Sequence, residues 1–273
     1  MRGGFFLDRE GQIRRGFAIV LFWGLCTVLL LVLGALSGAL GVAHDQLEFH
    51  ARLAMSALLA HVAHARIDPR PERWDPLDPA ANRRWLLVAP LGALLPCLPA
   101  LVALVMGQVT RVPLGPPALG DAAELALPGL SEELLLRGLS LAILCEAFGG
   151  LWATLGCGLA FGLLHLHNPH AGLLGVANVA LSGLLFGLVV VRSRSVWPAV
   201  AAHAAWNLAE GALFGLPVSG LVARGALVPI AIGGPVWLGG GAFGPEGSAI
   251  LTLALALACG VLLGRIPVRE RRA

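Results

Sequence analysis

Residues 17–43 contain no charged side chain. As a helix, a run of that length crosses a ~30 Å hydrocarbon core with room for tilt. A chain that holds it must close its backbone hydrogen bonds within helices or a sealed barrel. Further apolar runs follow at 85–109, 151–166, 172–191, 196–214 and 248–263, and these lengths suit helices, not barrel strands. Only 13% of the 273 residues are charged, against about 25% in soluble proteins. The expected fold is therefore an all-α, polytopic transmembrane bundle. The first run is too long for the core of a cleaved leader, so no cleavable signal is expected.

The basic residues set the topology. All 19 are arginine, and they cluster at the ends of apolar runs. With a net charge of only +3, this pattern excludes a nucleic-acid partner and points to a lipid bilayer. Residues 44–65 carry Glu48, His50, Arg52, His61 and His64 around an apolar centre, and read either as a weak span or as an interfacial helix. If they cross, there are eight spans and both termini are cytoplasmic. Then 15 of the 19 arginines (four N-terminal, five in 66–84, two at 192–194, four in the tail) lie inside. If they do not, the arginine-rich loop and the two termini cannot share a side, so the positive-inside rule favours eight spans. His61 and His64 read as imidazoles near a headgroup boundary rather than as metal ligands. Five scattered cysteines without metal spacing read as small packing residues.

The chain divides into 1–118, N-terminal spans and a polar loop; 119–214, a core expected to hold four helices; and 215–273, a Gly/Pro-rich, partly re-entrant loop, a last span and a basic tail. Within the core, Pro128-Gly129 predicts a kink or a restart of the helix in 119–148, with Ser131 as its N-cap. Asp121 and Glu124 are expected to cap or neutralise the start of that helix.

The same helix carries Glu132, Glu133 and Arg137. Ionisable groups at membrane depth cost about 2.5–3.5 kcal/mol each on insertion scales, so they face a protein or water-filled interior. Glu133 and Arg137 are four apart and share a helical face, while Glu132 points elsewhere and needs another partner. The candidates are His165, four residues after Phe161, and His203, four before Asn207. At a rise of ~1.5 Å per residue, Glu132 lies about 26 Å and His165 about 23 Å from the Gly149-Gly150 hairpin. From Ser195 on the same membrane face, Asn207 lies about 18 Å and His203 about 12 Å away. All four side chains fit one cavity. A carboxylate with an imidazole can deprotonate water, and an imidazole with a carboxamide can stabilise a tetrahedral oxyanion. Peptide hydrolysis by activated water suits that set.

Glu132-Glu133-xxx-Arg137, Phe161-xxx-His165 and His203-xxx-Asn207, in this order on successive helices, resemble the CPBP family of CAAX prenyl proteases and bacteriocin-processing intramembrane proteases. The Gly244-Pro245-Glu246-Gly247-Ser248 knot resembles a late feature of bacterial members. The resemblance implies an intramembrane endopeptidase in a bacterial inner or plasma membrane, acting on a peptide or membrane-protein substrate. It implies Glu132 and His165 as the water-activating pair and His203 and Asn207 as the oxyanion site, with Glu133, Arg137 and Phe161 in support. A metal-free mechanism is preferred, because Asn207 is a natural oxyanion donor and an unusual zinc ligand. The zinc alternative would use Glu132, His165 and His203.

Two other readings stay open. A non-catalytic immunity or partner protein of the same fold is disfavoured, since a decayed enzyme would shed polar residues that are costly to bury. A proton-coupled transporter is disfavoured by the lack of an internal repeat.

Overall fold

The computed structural model describes residues 6–8, 12–42, 45–69, 74–78 and 83–264. Arg2, Arg9, Arg70, Arg73 and the tail arginines 265, 269, 271 and 272, which entered the topology argument, lie outside these residues. The fold is mostly helical. In chain order the helices are α1 (Arg15–Ala39), α2 (Gln46–Ile67), α3 (Ala89–Val105), α4 (Leu119–Leu136), α5 (Leu139–Phe148), α6 (Gly150–Leu164), α7 (Leu173–Ser193), α8 (Trp197–Asn207), the single turn α9 (Val236–Gly239) and α10 (Ala249–Leu263). By length and apolarity α1 and α7 can each cross a membrane, and α3, α6 and α10 are apolar but shorter. Helix α1 buries only Ala18, Phe22 and Cys26 and turns the rest of its apolar surface outward. Helix α7 is buried along most of its length and forms the centre of the bundle.

Two expectations for the core change. The 119–148 segment is not one span kinked at Pro128: α4 runs through Pro128 and stops at Arg137-Gly138, so the core contains five helices instead of four. Ser131 is inside α4 and is not an N-cap; its hydroxyl donates to the Pro128 carbonyl at 3.3 Å. The physical reason lies at the later position. The Gly138 N–H reaches the Glu133 carbonyl five residues back, a wider closure that ends the helix, and a side chain at Gly138 would collide with the Leu134 carbonyl. The carbonyls freed at this break are then taken up elsewhere. The Ser140 hydroxyl donates to Leu135 at 2.7 Å, and the Cys157 thiol donates to Leu136 at 3.5 Å. A buried helix end needs such partners. At the other end Asp121 does cap α4, accepting from the Ala118 N–H at 2.9 Å.

Close helix packing depends on small residues, as expected without a hydrophobic drive between helices in lipid. Gly158 and Gly162 of α6 lie directly on the α7 backbone at Leu184 and Ala180. Gly129 of α4 lies on α8, where a Cβ would come within 2.8 Å of the Ala204 nitrogen. That crossing brings the carboxylates of α4 to the histidine of α8.

The Gly/Pro-rich segment after α8 is ordered. Residues Leu208–Leu213 continue α8 as a π-helical turn. Strand β2 (Ile230–Ile232) then pairs antiparallel with β1 (Val109–Arg111), a two-stranded ribbon the sequence reading lacks. The Gly244–Ser248 knot folds against α7. Gly244 has φ +94° and its Cα approaches the Pro217 carbonyl too closely for any side chain. The Asn178 amide donates to the carbonyls of Glu246 (2.8 Å) and Ser248 (2.9 Å), and its oxygen accepts from Thr252. The Ser248 hydroxyl in turn caps α10 through the Leu251 N–H.

Gly129→Val should force α4 from α8 and lower the unfolding temperature in detergent, a loss of about 1–3 kcal/mol as for other overpacked sites. Gly156→Val, with nothing within 4 Å of a Cβ, should change it far less.

Candidate active site

Glu133 and Arg137 are fully buried, one turn apart on α4. Arg137 Nη1 donates to Glu133 Oε1. The same oxygen faces His203 Nδ1 of α8 at 3.1 Å. Since an ionised carboxylate only accepts, Nδ1 carries the proton and His203 presents Nε2 away from this contact. The guanidinium lies over the Phe161 ring at 4.4 Å and within 6.0 Å of Phe186, so its charge meets π faces where carboxylate is absent. Phe186 stacks on His203 at 5.1 Å and Phe161 meets it edge-on at 5.7 Å. One charged pair and two rings thus fix the orientation of one imidazole.

His165 terminates α6. Its Nδ1 lies 2.8 Å from the Phe161 carbonyl, which only accepts, so again Nδ1 is the donor and Nε2 has the free lone pair. The Phe161 ring packs edge-on against it at 4.6 Å. The i, i+4 spacing of this motif therefore acts through both the backbone and the ring of Phe161.

A small cavity lies between these groups, with space for about one water molecule. Its walls are Phe161, His165, Val179, Ser182, Phe186, His203, Trp206, Ser219 and Glu246. Both histidines line it; Glu132 and Asn207 do not. Glu132 is half-buried, makes no hydrogen bond among the described residues, and lies within electrostatic range of His203, Arg137 and Glu246. Asn207 is buried and donates one Nδ2–H to the Leu125 carbonyl of α4 at 3.0 Å, leaving a second N–H.

Among the described residues no three His, Cys, Asp or Glu side chains converge as a metal-ligand set. Glu132, His165 and His203, which a zinc ion would require, do not form one. No step below is routed through a metal.

Residues 119–209 match the family model described as Rce1-like, type II CAAX prenyl endopeptidase. That segment is similar to the CAAX proteases. The match covers a third of the chain, from the first residue of α4 to two residues beyond Asn207, and includes all three motifs. The family consists of membrane-embedded proteases, in keeping with the apolar helices. No curated protein matches the chain.

Six of the cavity walls were not anticipated: Val179, Ser182, Phe186, Trp206, Ser219 and Glu246. Glu246 and Ser219 belong to the segment read as loop, and the Gly-Pro-Glu-Gly-Ser knot was its only trace in the sequence. Other residues have structural partners. His61 Nε2 faces Asp75 at 3.3 Å, Glu146 faces Arg15 at 3.8 Å, and Glu124 pairs with Arg224 at 2.9 Å.

Removing one partner of a buried ion pair costs about 3–5 kcal/mol, while replacing both with apolar residues often costs little. Arg137→Met alone should therefore lower stability in detergent by that order, and the Glu133→Met/Arg137→Met double variant should recover much of the loss. A thermal-unfolding series over the three variants checks this.

Proposed function

We propose that the protein is a multi-pass intramembrane endopeptidase, of eight spans with cytoplasmic termini. It hydrolyses a peptide bond in a membrane-associated substrate with a water activated by Glu132 and His165. The observation that carries this reading is the pairing of two imidazoles on one small cavity, each with Nδ1 engaged by a fixed acceptor and Nε2 left for chemistry.

Glu132 lies outside the cavity wall but has no competing hydrogen bond among the described residues; in the substrate complex its carboxylate takes a proton from the water as the water oxygen attacks the scissile carbonyl carbon. His165 Nε2 accepts from the same water and orients it. Charge then develops on the carbonyl oxygen. Asn207 meets it with the N–H not used on Leu125, and His203 meets it from Nε2. For His203 to donate there, Nε2 must be protonated as well as Nδ1, and the Glu133 carboxylate is the counter-charge that this form requires. Arg137 holds Glu133 in place. Collapse of the tetrahedral intermediate breaks the C–N bond and releases acid and amine.

The substrate belongs to the class in the family's name, or is another peptide that reaches the cavity from the membrane; no side chain on the cavity wall is dedicated to a prenyl group.

Glu132→Gln and His165→Ala should each lower cleavage of a quenched-fluorescent peptide by at least about 100-fold, the usual contribution of a positioned base. Their unfolding temperatures should stay close to wild type, and a chelator should leave wild-type cleavage unchanged. Full activity in Glu132→Gln would overturn the reading.

A further inference from the structure

The donors around the cavity are almost all committed. Collapse of the tetrahedral intermediate needs a proton on the leaving nitrogen. His165 and His203 have each spent Nδ1–H on a fixed acceptor. The Ser182 hydroxyl donates to the Val179 carbonyl at 2.9 Å, and the Ser219 hydroxyl donates to Glu246 Oε2. Glu246 remains. It is on the cavity wall, where its Oε2 accepts from the Ser219 hydroxyl. Its backbone is held by Asn178 and by the turn from Gly244 to Ser248, so the carboxyl group is positioned by a rigid frame.

The surroundings of Glu246 favour a proton there. The Glu210 side chain is buried, has no hydrogen bond of ordinary geometry among the described residues, and lies within electrostatic range of Glu246. The Trp206 indole N–H lies beside both carboxylates without a regular hydrogen bond to either. Burial of the Glu246 carboxyl disfavours its charged form, which leaves a proton on it to deliver. Glu132 and His203 are the other charged or titratable groups in range of Glu246, and His165 shares its cavity.

We propose that Glu246 is the general acid of the reaction, delivering a proton to the leaving amine from a loop outside the family-matched segment. This rests on the endopeptidase reading above. The water proton goes to Glu132 as the C–O bond forms. The C–N bond then breaks, its electron pair stays on nitrogen, and the Glu246 proton joins that nitrogen. The proton held by Glu132 returns to Glu246 through cavity water, and both acids are reset. The net change is addition of one water across the peptide bond.

The test compares a cleaved peptide, selected from a quenched-fluorescent library with the purified full-length protein, with its depsipeptide, in which an ester replaces the scissile amide. An alkoxide leaves more easily than an amide anion and needs the acid far less. Glu246→Gln keeps an acceptor for Ser219 but has no proton to deliver. It should lower kcat on the amide by about 100-fold or more and leave the ester within about threefold. Equal losses on amide and ester, or unchanged amide cleavage, would overturn the proposal. If Glu246→Gln does not fold, Glu246→Asp decides: the shortened acid should weaken amide cleavage more than ester cleavage, and parallel losses would overturn the assignment. Glu132→Gln separates the two readings. Full activity there removes the endopeptidase mechanism itself, whereas an inactive Glu132→Gln beside a normal Glu246→Gln removes only the acid.

Discussion

The contact between the Glu133–Arg137 pair of α4 and His203 of α8 is the interaction on which the site depends. Three ionisable side chains are buried together, and none is tolerable alone at that depth. Their contact through one Glu133 oxygen fixes the rotation of α4, and with it the direction of Glu132, one residue and about 100° round the same helix. It also fixes the tautomer of His203. Gly129 lets the two backbones approach closely enough for the contact, and the rings of Phe161 and Phe186 cover the guanidinium face that no carboxylate occupies.

Around this contact the bundle is layered by function. Helices α6 and α7 pack through glycine and alanine and supply His165 and the aromatic wall. The outer helix α1 presents apolar surface to its surroundings and contributes little to the core. The late loop, rigidified by Asn178 and by glycines in left-handed conformations, closes the cavity with Ser219 and Glu246. The site is thus assembled from the matched core and from a segment beyond it.

Much of this was legible in the sequence because membrane burial makes polar residues conspicuous. The long apolar runs gave the helices, and the i, i+4 spacing of Glu133 and Arg137 gave their contact. What spacing cannot reveal is a partner 70 residues away: that Glu133, rather than Glu132, faces His203 depends on how α4 and α8 cross. The break at Gly138 was hidden by the more prominent Pro128-Gly129, because proline inside a helix costs one hydrogen bond that packing can absorb, whereas the close approach of Gly138 to the Leu134 carbonyl arises only from how the helix ends in the folded chain. Glu246 was obscured for a third reason. Its loop has no periodicity, and the glycines that read as flexibility are there to permit close backbone approach. The β1–β2 ribbon is too short to leave an alternating pattern.

The central claim is that the cavity stabilises a tetrahedral intermediate. A phosphinic peptide that mimics this intermediate, titrated against wild type and the His203→Ala, Asn207→Ala and Glu133→Gln variants, tests it most directly. If the site is complementary to the transition state, the inhibition constant rises in step with the fall in kcat/KM across the series. An inhibition constant that follows KM alone, or does not change while kcat/KM collapses, would contradict the account.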